Sequence, residues 1–139
     1  MYDLNRFLKA QEQSYETALS EIRSGQKQSH WIWYIFPQVK GLGFSYTSEF
    51  YGIDGLDEAK AYMGNGLLRK RLVETSEALL SLESSDAGYV MGYPDDLKLR
   101  SSMTLFAEAS PETEVFQKVL DKFFGGKKDQ KTLDLLGQA

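Results

Sequence analysis

The sequence predicts an all-α fold, and three observations support this prediction. Apolar residues recur at helical spacing along most of the 139-residue chain. Glycine and proline breakers divide this pattern into segments of helical length. Only residues 31–36 have the aromatic and β-branched composition of a strand, and no other segment offers a convincing partner strand. We therefore expect residues 1–139 to form a single compact domain of several short helices, packed as an orthogonal bundle.

The first half of the chain contains three segments with helical patterns. Asp3 is placed to cap the first, whose apolar face continues to Ile22 in one helix or two and stops at Ser24-Gly25. A short helix is expected over residues 57–63, ended by the breaker at residues 64–66. A longer helix of about four turns should follow. Its apolar positions are Leu67, Leu68, Leu72, Leu79 and Leu80.

The second half repeats the same signals. Pro94 is expected to begin a helix that carries Asp95 and Asp96 in its first turn, where carboxylates interact favourably with the helix dipole. Residues 110–112, Ser-Pro-Glu, predict the start of another helix, with the serine as its cap. Glycines 125 and 126 should end that helix, and a last short helix is expected over residues 129–136.

Residues 31–36 allow two interpretations. Their composition is that of a buried strand, but a lone strand leaves its backbone hydrogen bonds unpaired. We therefore favour a short, fully buried helix that is capped by Ser29 and ended by Pro37, with the strand as the alternative.

Composition excludes several classes of protein. The chain has no cysteine, so disulfides, thiolate nucleophiles and zinc–thiolate sites are excluded. A net charge of −4 disfavours a nucleic-acid partner. The longest apolar run has six residues, which is too short for a membrane span, and the N-terminal stretch lacks the apolar core of a secretion signal. We expect a cytoplasmic protein with no membrane partner, no metal and no cofactor.

The only histidine, His30, is the natural acid–base candidate, because its ordinary pKa lies near neutrality. The alternative is a histidine that forms hydrogen bonds inside the core and takes no part in chemistry. Helical spacing places Trp33 on the same face as His30 and Phe36. Such an aromatic wall beside a histidine is typical of sites for planar ligands, although both aromatic side chains also suit a core.

Two further groups of polar residues are candidates for ligand contact. Residues 41–43 form a Gly-Leu-Gly loop in which Gly41 and Gly43 permit close approach of a ligand, unless the loop is a plain turn. Gln38 and Ser45 flank this loop as amide and hydroxyl donors. In the second half, Lys98 and Ser102 lie one helical turn apart, a pairing used by some hydrolases. The alternative is that hydroxyls at these helical positions bond back to the chain.

The sequence resembles the family known as domain of unknown function 1810, sometimes labelled calpastatin-like, over nearly its whole length. The specific pieces are HW-x-WY-x-FPQ at residues 30–38 and KL-x-SS-x-TLF at residues 98–106. The resemblance implies a compact all-α domain and implies no reaction. Members usually carry a His-Pro pair where this chain has Asn65-Gly66, which weakens any mechanism that needs two histidines.

Two hypotheses of function follow. In the first, a small polar or nucleotide-like ligand binds between two blocks, residues 30–45 and residues 92–106. If the site is enzymatic, this ligand is also turned over there. His30 would handle the proton, and Trp33 would stack against the ligand. Polar contacts would come from Gln38, Gly41, Gly43, Ser45, Lys98 and Ser102. In the second hypothesis, the chain is a non-enzymatic protein-interaction module in which both blocks belong to the core.

Overall fold

The computed structural model describes residues 2–137, and this part of the chain is all-α, as the sequence predicts. The helices follow one another along the chain with short connections, and the described residues form no strand. Their bounds are α1 Asn5–Arg23, α2 Ile32–Ile35, α3 Tyr46–Phe50, α4 Leu56–Gly64, α5 Gly66–Leu80, α6 Ala87–Met91, α7 Asp95–Ala109, α8 Val115–Phe124 and α9 Gln130–Leu136.

The first apolar pattern forms the single helix α1, which ends at Ser24 as expected. The prediction that Asp3 caps it is wrong. Leu4 occupies the cap position, and no side chain accepts a hydrogen bond there. The backbone carbonyl of Asp3 instead accepts a hydrogen bond from the Arg6 guanidinium, which also pairs with Glu58 at 2.8 Å. Arg6 therefore ties the start of α1 to α4.

Residues 32–35 form the short helix α2, so the helical interpretation of the aromatic segment is confirmed. Two details of that prediction are wrong. Ser29 does not cap the helix, because the helix begins at Ile32 and Trp31 occupies the cap position; the Ser29 hydroxyl donates to Glu21 Oε2 at 2.5 Å instead. The segment is also not fully buried, since Trp33 and Tyr34 retain partial exposure whereas Trp31 is 1% exposed. The helix starts at residue 32, so spacing counted from residue 30 does not apply.

The loop between α2 and α4 contains structure that periodicity did not indicate. Ser45 caps the five-residue helix α3 by accepting a hydrogen bond from the Ser48 amide at 3.1 Å. Val39 and Ile53 form an isolated parallel bridge. In this bridge the Ile53 amide donates to the Gln38 carbonyl at 2.8 Å, which fixes the backbone at Gln38. The short helix α6 was likewise not predicted.

Helices α4 and α5 share Asn65, which ends the first and caps the second through a 3.1 Å bond from the Leu68 amide to its side chain. Helix α5 has 15 residues, about four turns, as predicted. Helix α7 begins beside Pro94 with Asp95 and Asp96 in its first turn, also as predicted.

The predicted start of α8 at residue 111 is wrong. The helix begins at Val115, and the Ser110 hydroxyl forms 2.8 Å hydrogen bonds with the side chains of Glu112 and Thr113. These local bonds make a turn rather than a helix cap. The helix ends at Gly125 with φ +62°, as expected for a left-handed cap. The last helix, α9, is capped by Asp129.

Helix α7 lies at the centre of the packing. It contacts α2, α4, α6, α8 and α9, while α1 packs on α2 and α5. Its residues Leu99, Met103, Leu105 and Phe106 are fully buried in the hydrophobic cluster that also contains Phe7, Trp31 and Phe116. A helix buried on several sides holds any functional residue on its remaining face in a fixed position. None of the helices within residues 2–137 is both long and apolar enough to cross a membrane.

Candidate functional site

A cavity of about 270 Å³ lies between the loop after α2, the first turns of α7 and the start of α9. Both blocks that the sequence singles out contribute to its wall. The lining residues are Trp33, Gln38, Leu42, Gly43, Pro94, Leu97, Lys98, Arg100, Ser101, Asp129 and Lys131. Its volume is near the lower end of the range for small-molecule sites, so it suits a small ligand better than a peptide.

Lys98 connects the two blocks at the cavity. Its Nζ lies 4.3 Å from the centroid of the Trp33 ring and 3.3 Å from Asp95 Oδ1. The ammonium group is attracted to the electron-rich face of the indole, and the carboxylate restrains it from the preceding turn of α7. The Lys98 side chain is 25% exposed, so its charge remains accessible from the cavity.

Arg100 holds the segment that leads into α9. Its Nε donates to the Lys127 carbonyl at 2.8 Å, and its Nη2 donates to the Lys128 carbonyl at 3.0 Å. The guanidinium has five N–H donors, so these two bonds leave others for a ligand. Arg100 therefore fixes the position of α9 and brings a permanent positive charge to the cavity wall.

Among the described residues, Asp129 is the only carboxylate that lines the cavity, and its Oδ2 accepts hydrogen bonds from the protein. This atom accepts hydrogen bonds from Ser101 Oγ at 3.2 Å, from the Thr132 amide at 3.0 Å and from Thr132 Oγ1 at 2.6 Å. These bonds cap α9 and join it to α7. The carboxylate thus has a structural role, and it shares the lining with three cationic side chains, those of Lys98, Arg100 and Lys131.

Gln38 brings an unused hydrogen-bond donor to the site. The residue is 8% exposed, and its side-chain nitrogen Nε2 is buried with no hydrogen-bond partner in the described part of the chain. Buried amide groups are nearly always paired, because an unpaired donor loses its hydration without compensation. This nitrogen has no contact with solvent, so the Gln38 side chain must rotate toward the cavity before a ligand acceptor can supply the missing partner.

The structure brings together only part of the predicted set of site residues. Trp33, Gln38, Gly43 and Lys98 all line the cavity. His30 is exposed and does not line it. The remaining predicted residues, Gly41, Ser45 and Ser102, also lie outside the lining.

Each of those three residues has a clear structural setting. Gly41 has φ +109°, and a Cβ built there would lie 3.3 Å from the Leu135 side chain. Ser45 caps α3. Ser102 is fully buried, and its hydroxyl has no partner among the described residues. The structure records no hydrogen bond between Ser102 and Lys98, whose ammonium group contacts Asp95 and Trp33 instead.

The neighbouring hydroxyls of α7 bond back to their own helix, which is the alternative given above to a catalytic role. Ser101 Oγ donates to the Leu97 carbonyl at 3.1 Å, and Thr104 Oγ1 donates to the Arg100 carbonyl at 2.8 Å. Both bonds return to the preceding turn of the same helix, the pattern expected for hydroxyls in a helix interior.

Several lining residues were missed by sequence reasoning. Leu97, Arg100 and Ser101 belong to the second block but were not selected. Asp129 caps the last helix and Lys131 lies in its first turn, and nothing local in the sequence indicates that this helix packs beside α7. Arg100 could have been found, because it lies two residues after Lys98 in a segment already singled out.

Glu21, on α1, accepts hydrogen bonds from the turn that leads into α2. Its carboxylate accepts hydrogen bonds from the amides of Gln28 and Ser29, from Ser29 Oγ and from Trp31 Nε1. Burial on its own would raise the pKa of Glu21, but the hydrogen bonds outweigh it and lower this pKa to about 2. One charged side chain of α1 thus organises the turn that leads into α2.

The described residues do not include a group of three or more histidine, aspartate or glutamate side chains arranged to hold a metal ion. For an organic cofactor or ligand, the relevant donors are those of the cavity wall, namely Gln38, Lys98, Arg100 and Lys131.

Comparisons with known proteins agree with this fold. Residues 1–136 match the family described as protein of unknown function (DUF1810). The chain is similar to the conserved hypothetical protein Rv1873 from Mycobacterium tuberculosis, whose crystal structure was determined at 1.38 Å. The two share 43% sequence identity and a TM-score of 0.96, over 98% of this chain and 97% of the other. No protein with a curated description matches this chain.

Proposed function

The chain belongs to the DUF1810 family of proteins of unknown function, and we propose that it binds a small ligand with an anionic group and a planar, apolar body. The site of this binding is the cavity between α2, α7 and α9. A nucleoside monophosphate is a ligand of this kind. No acid–base role is assigned to His30, because its side chain is exposed and does not line the cavity.

The observation that carries the proposal is the charge of the cavity wall. The whole chain has a net charge of −4, yet the wall holds Lys98, Arg100 and Lys131 with one carboxylate, Asp129. Three cations against one carboxylate give this small concave surface a net positive charge, which attracts an anion. Asp129 offsets only one of the three positive charges, and its Oδ2 is held by Ser101 and Thr132, so an excess of positive charge is available to a ligand.

The rest of the wall supports an apolar body for the ligand. Trp33, Leu42, Pro94 and Leu97 provide apolar surface, and Gln38 adds one unpaired amide donor. Ligand sites commonly combine an apolar wall with a few fixed polar groups that set orientation. The ammonium of Lys98 already covers one face of Trp33, so the same residue can contact an anionic group next to the aromatic surface.

A thermal-shift screen followed by calorimetry tests the proposal. We expect AMP to raise the unfolding midpoint by roughly 5–10 °C at about 100 times its dissociation constant. Adenosine and inorganic phosphate should each bind more weakly, because each offers only half of the contacts. If neither AMP nor a panel of other planar anions gives a shift or a binding heat, the proposal is wrong.

Two matched variants locate the site. Lys131→Gln removes a charge from the cavity wall and should weaken AMP binding about threefold to tenfold. Lys118→Gln makes the same change in net charge on α8, outside the cavity, and should leave the affinity unchanged. Equal effects of the two substitutions would mean that AMP responds to overall charge and not to this site.

A protein-interaction surface is the second candidate, and exposed aromatic residues favour it. Phe44 is 88% exposed and Tyr46 is 80% exposed, and the Tyr46 ring stacks on Phe50 at a centroid distance of 5.9 Å. Exposed apolar clusters of this kind often contact another protein. A double variant, Phe44→Ser with Tyr46→Ser, should abolish any self-association seen by sedimentation while leaving AMP binding intact. A parent chain that stays monomeric gives this candidate no support.

A further inference from the structure

A row of three charged side chains connects the cavity to the interior of the protein. Asp95 lies between two ammonium groups, with Lys27 Nζ 2.6 Å from its Oδ2 and Lys98 Nζ 3.3 Å from its Oδ1. Only Lys98 lines the cavity. Lys27 and Asp95 stand behind it, so neither is in a position to contact a ligand in the cavity directly.

Lys27 is buried to an unusual degree for a lysine. Its side chain is 6% exposed, compared with 19% for Asp95 and 25% for Lys98. Its ammonium also donates to the Ser29 carbonyl at 2.5 Å and lies 5.0 Å from the centroid of the Trp31 ring. Burying a lysine is costly unless it is paired, and this lysine pairs with the one carboxylate that also faces Lys98.

This arrangement has a consequence for the charge of Lys98. If Asp95 had no other partner, its negative charge would largely cancel that of Lys98, and the ammonium would attract an anion only weakly. Lys27 supplies a second positive charge to the same carboxylate, so the three groups together carry a net charge of +1. The exposed end of the row is Lys98, where that charge can act on the cavity.

We propose that Lys27 is a positioning residue for anion binding, which acts by neutralising Asp95 and so keeps the charge of Lys98 available in the cavity. Asp95 in turn holds the Lys98 ammonium over Trp33. Lys27 thus controls, from outside the cavity, the affinity inside it; this role rests on the proposed function for its ligand but not for its electrostatics.

Collisional quenching of tryptophan fluorescence tests the electrostatics without a ligand. Iodide is an anionic quencher, whereas acrylamide is neutral, so their ratio reports the local charge. Trp31 is 1% exposed and therefore shielded from direct collision, which leaves the half-buried Trp33 as the main reporter, beside Lys98. We expect Lys27→Met to lower the iodide-to-acrylamide ratio by a factor on the order of two.

Further variants separate charge from structure. Lys27→Arg keeps the charge and should behave as the parent. Adding Asp95→Asn to Lys27→Met removes both compensating charges and should restore the parent ratio, while Asp95→Asn alone should raise it. Lys118→Met is the matched control for net charge and should change nothing. If Lys27→Met does not fold, Asp95→Asn is compared with the double variant, since these two differ only in the charge of Lys27. We then expect a higher iodide-to-acrylamide ratio for Asp95→Asn alone.

The same variants are then titrated with AMP. We expect Lys27→Met to weaken AMP binding about fivefold to tenfold and the double variant to recover most of this loss. If the parent binds AMP and Lys27→Met binds it equally well with an unchanged quenching ratio, the inference is overturned and the proposed function stands. If the ratio changes as expected but the parent binds no planar anion, the proposed function fails and the electrostatic role of Lys27 remains.

Discussion

Trp31 and Trp33 are two residues apart in the sequence but differ in burial, so the same substitution at each can be compared. Trp31 is the largest fully buried side chain, with its ring 6.2 Å from that of Phe36 and its indole nitrogen 2.9 Å from Glu21 Oε1. Trp33 is half-buried at the cavity wall. Replacing each by alanine should therefore give very different losses of stability.

The expected magnitude follows from the buried area. A buried aromatic side chain removes about 150–250 Å² from water, worth about 4–6 kcal/mol at roughly 25 cal/mol per Å² as an upper bound. Large aromatic-to-alanine changes in cores cost about 3–5 kcal/mol, which we expect for Trp31→Ala. Trp33→Ala should cost less, about 1–2 kcal/mol, because its side chain is only partly buried and its interaction with Lys98 contributes about 0.5–1 kcal/mol.

Urea denaturation followed by far-ultraviolet circular dichroism measures both losses without relying on the tryptophan signal. Trp31→Phe is the control that keeps an aromatic ring but loses the hydrogen bond to Glu21, and it should cost about 1–2 kcal/mol. A loss under about 1 kcal/mol for Trp31→Ala would show that the aromatic segment is peripheral to the core. A larger loss for Trp33→Ala than for Trp31→Ala would refute the burial argument.

Three more outcomes are expected. Folding lowers the pKa of Glu21 from 4.5 to about 2, so the stabilisation from its carboxylate is complete above pH 4.5 and is lost as the pH falls from about 4.5 towards 2. Glu21→Gln should therefore flatten this part of a plot of urea midpoint against pH. Gln38→Met removes a buried unpaired amide, so it should raise stability by about 1 kcal/mol in calorimetry while weakening AMP binding. His30→Gln changes an exposed residue and should alter stability by less than about 0.5 kcal/mol; a loss of AMP binding in this variant would return His30 to the site.

The helices that the sequence predicts correctly are those with a long apolar period or a strong local signal at their ends. Helix α5 has both, since leucines recur along it and Asn65 caps it. Helices α3 and α6 have only five residues each, too few for a period to be visible. Their caps, Ser45 and Asp86, were the only available local signals.

Errors at helix starts have a common physical cause. Serine is a residue type that caps helices, but the helices expected after Ser29 and Ser110 begin further along the chain, at Ile32 and Val115. Ser29 bonds to the Glu21 carboxylate, which comes from α1, and Ser110 bonds to Glu112 and Thr113. A sequence shows which side chains can cap a helix, but the residue at which the helix begins depends on the folded structure.

The sequence could predict only those residues of the candidate site that lie within the two blocks, residues 30–45 and 92–106. Trp33, Gln38, Gly43 and Lys98 were found because they lie inside those blocks. His30 was placed with Trp33 on the assumption of a helix that includes residue 30, whereas α2 starts at residue 32. Asp129 and Lys131 are brought in by the packing of α9 on α7, a long-range contact that no local pattern indicates.

Helix α7 explains why charge and rigidity occur together at this cavity. Leu99 is fully buried in the core, while its neighbours Lys98 and Arg100 line the cavity. Since the core fixes the helix, it also fixes the cations that the helix carries, and Asp95 and the carbonyls of residues 127 and 128 restrain their ends. Flexible surface lysines attract any anion, but cations held in this way favour an anion whose charge lies at a set distance from its apolar body. We therefore expect the proposed site to select among planar anions and not only to attract negative charge.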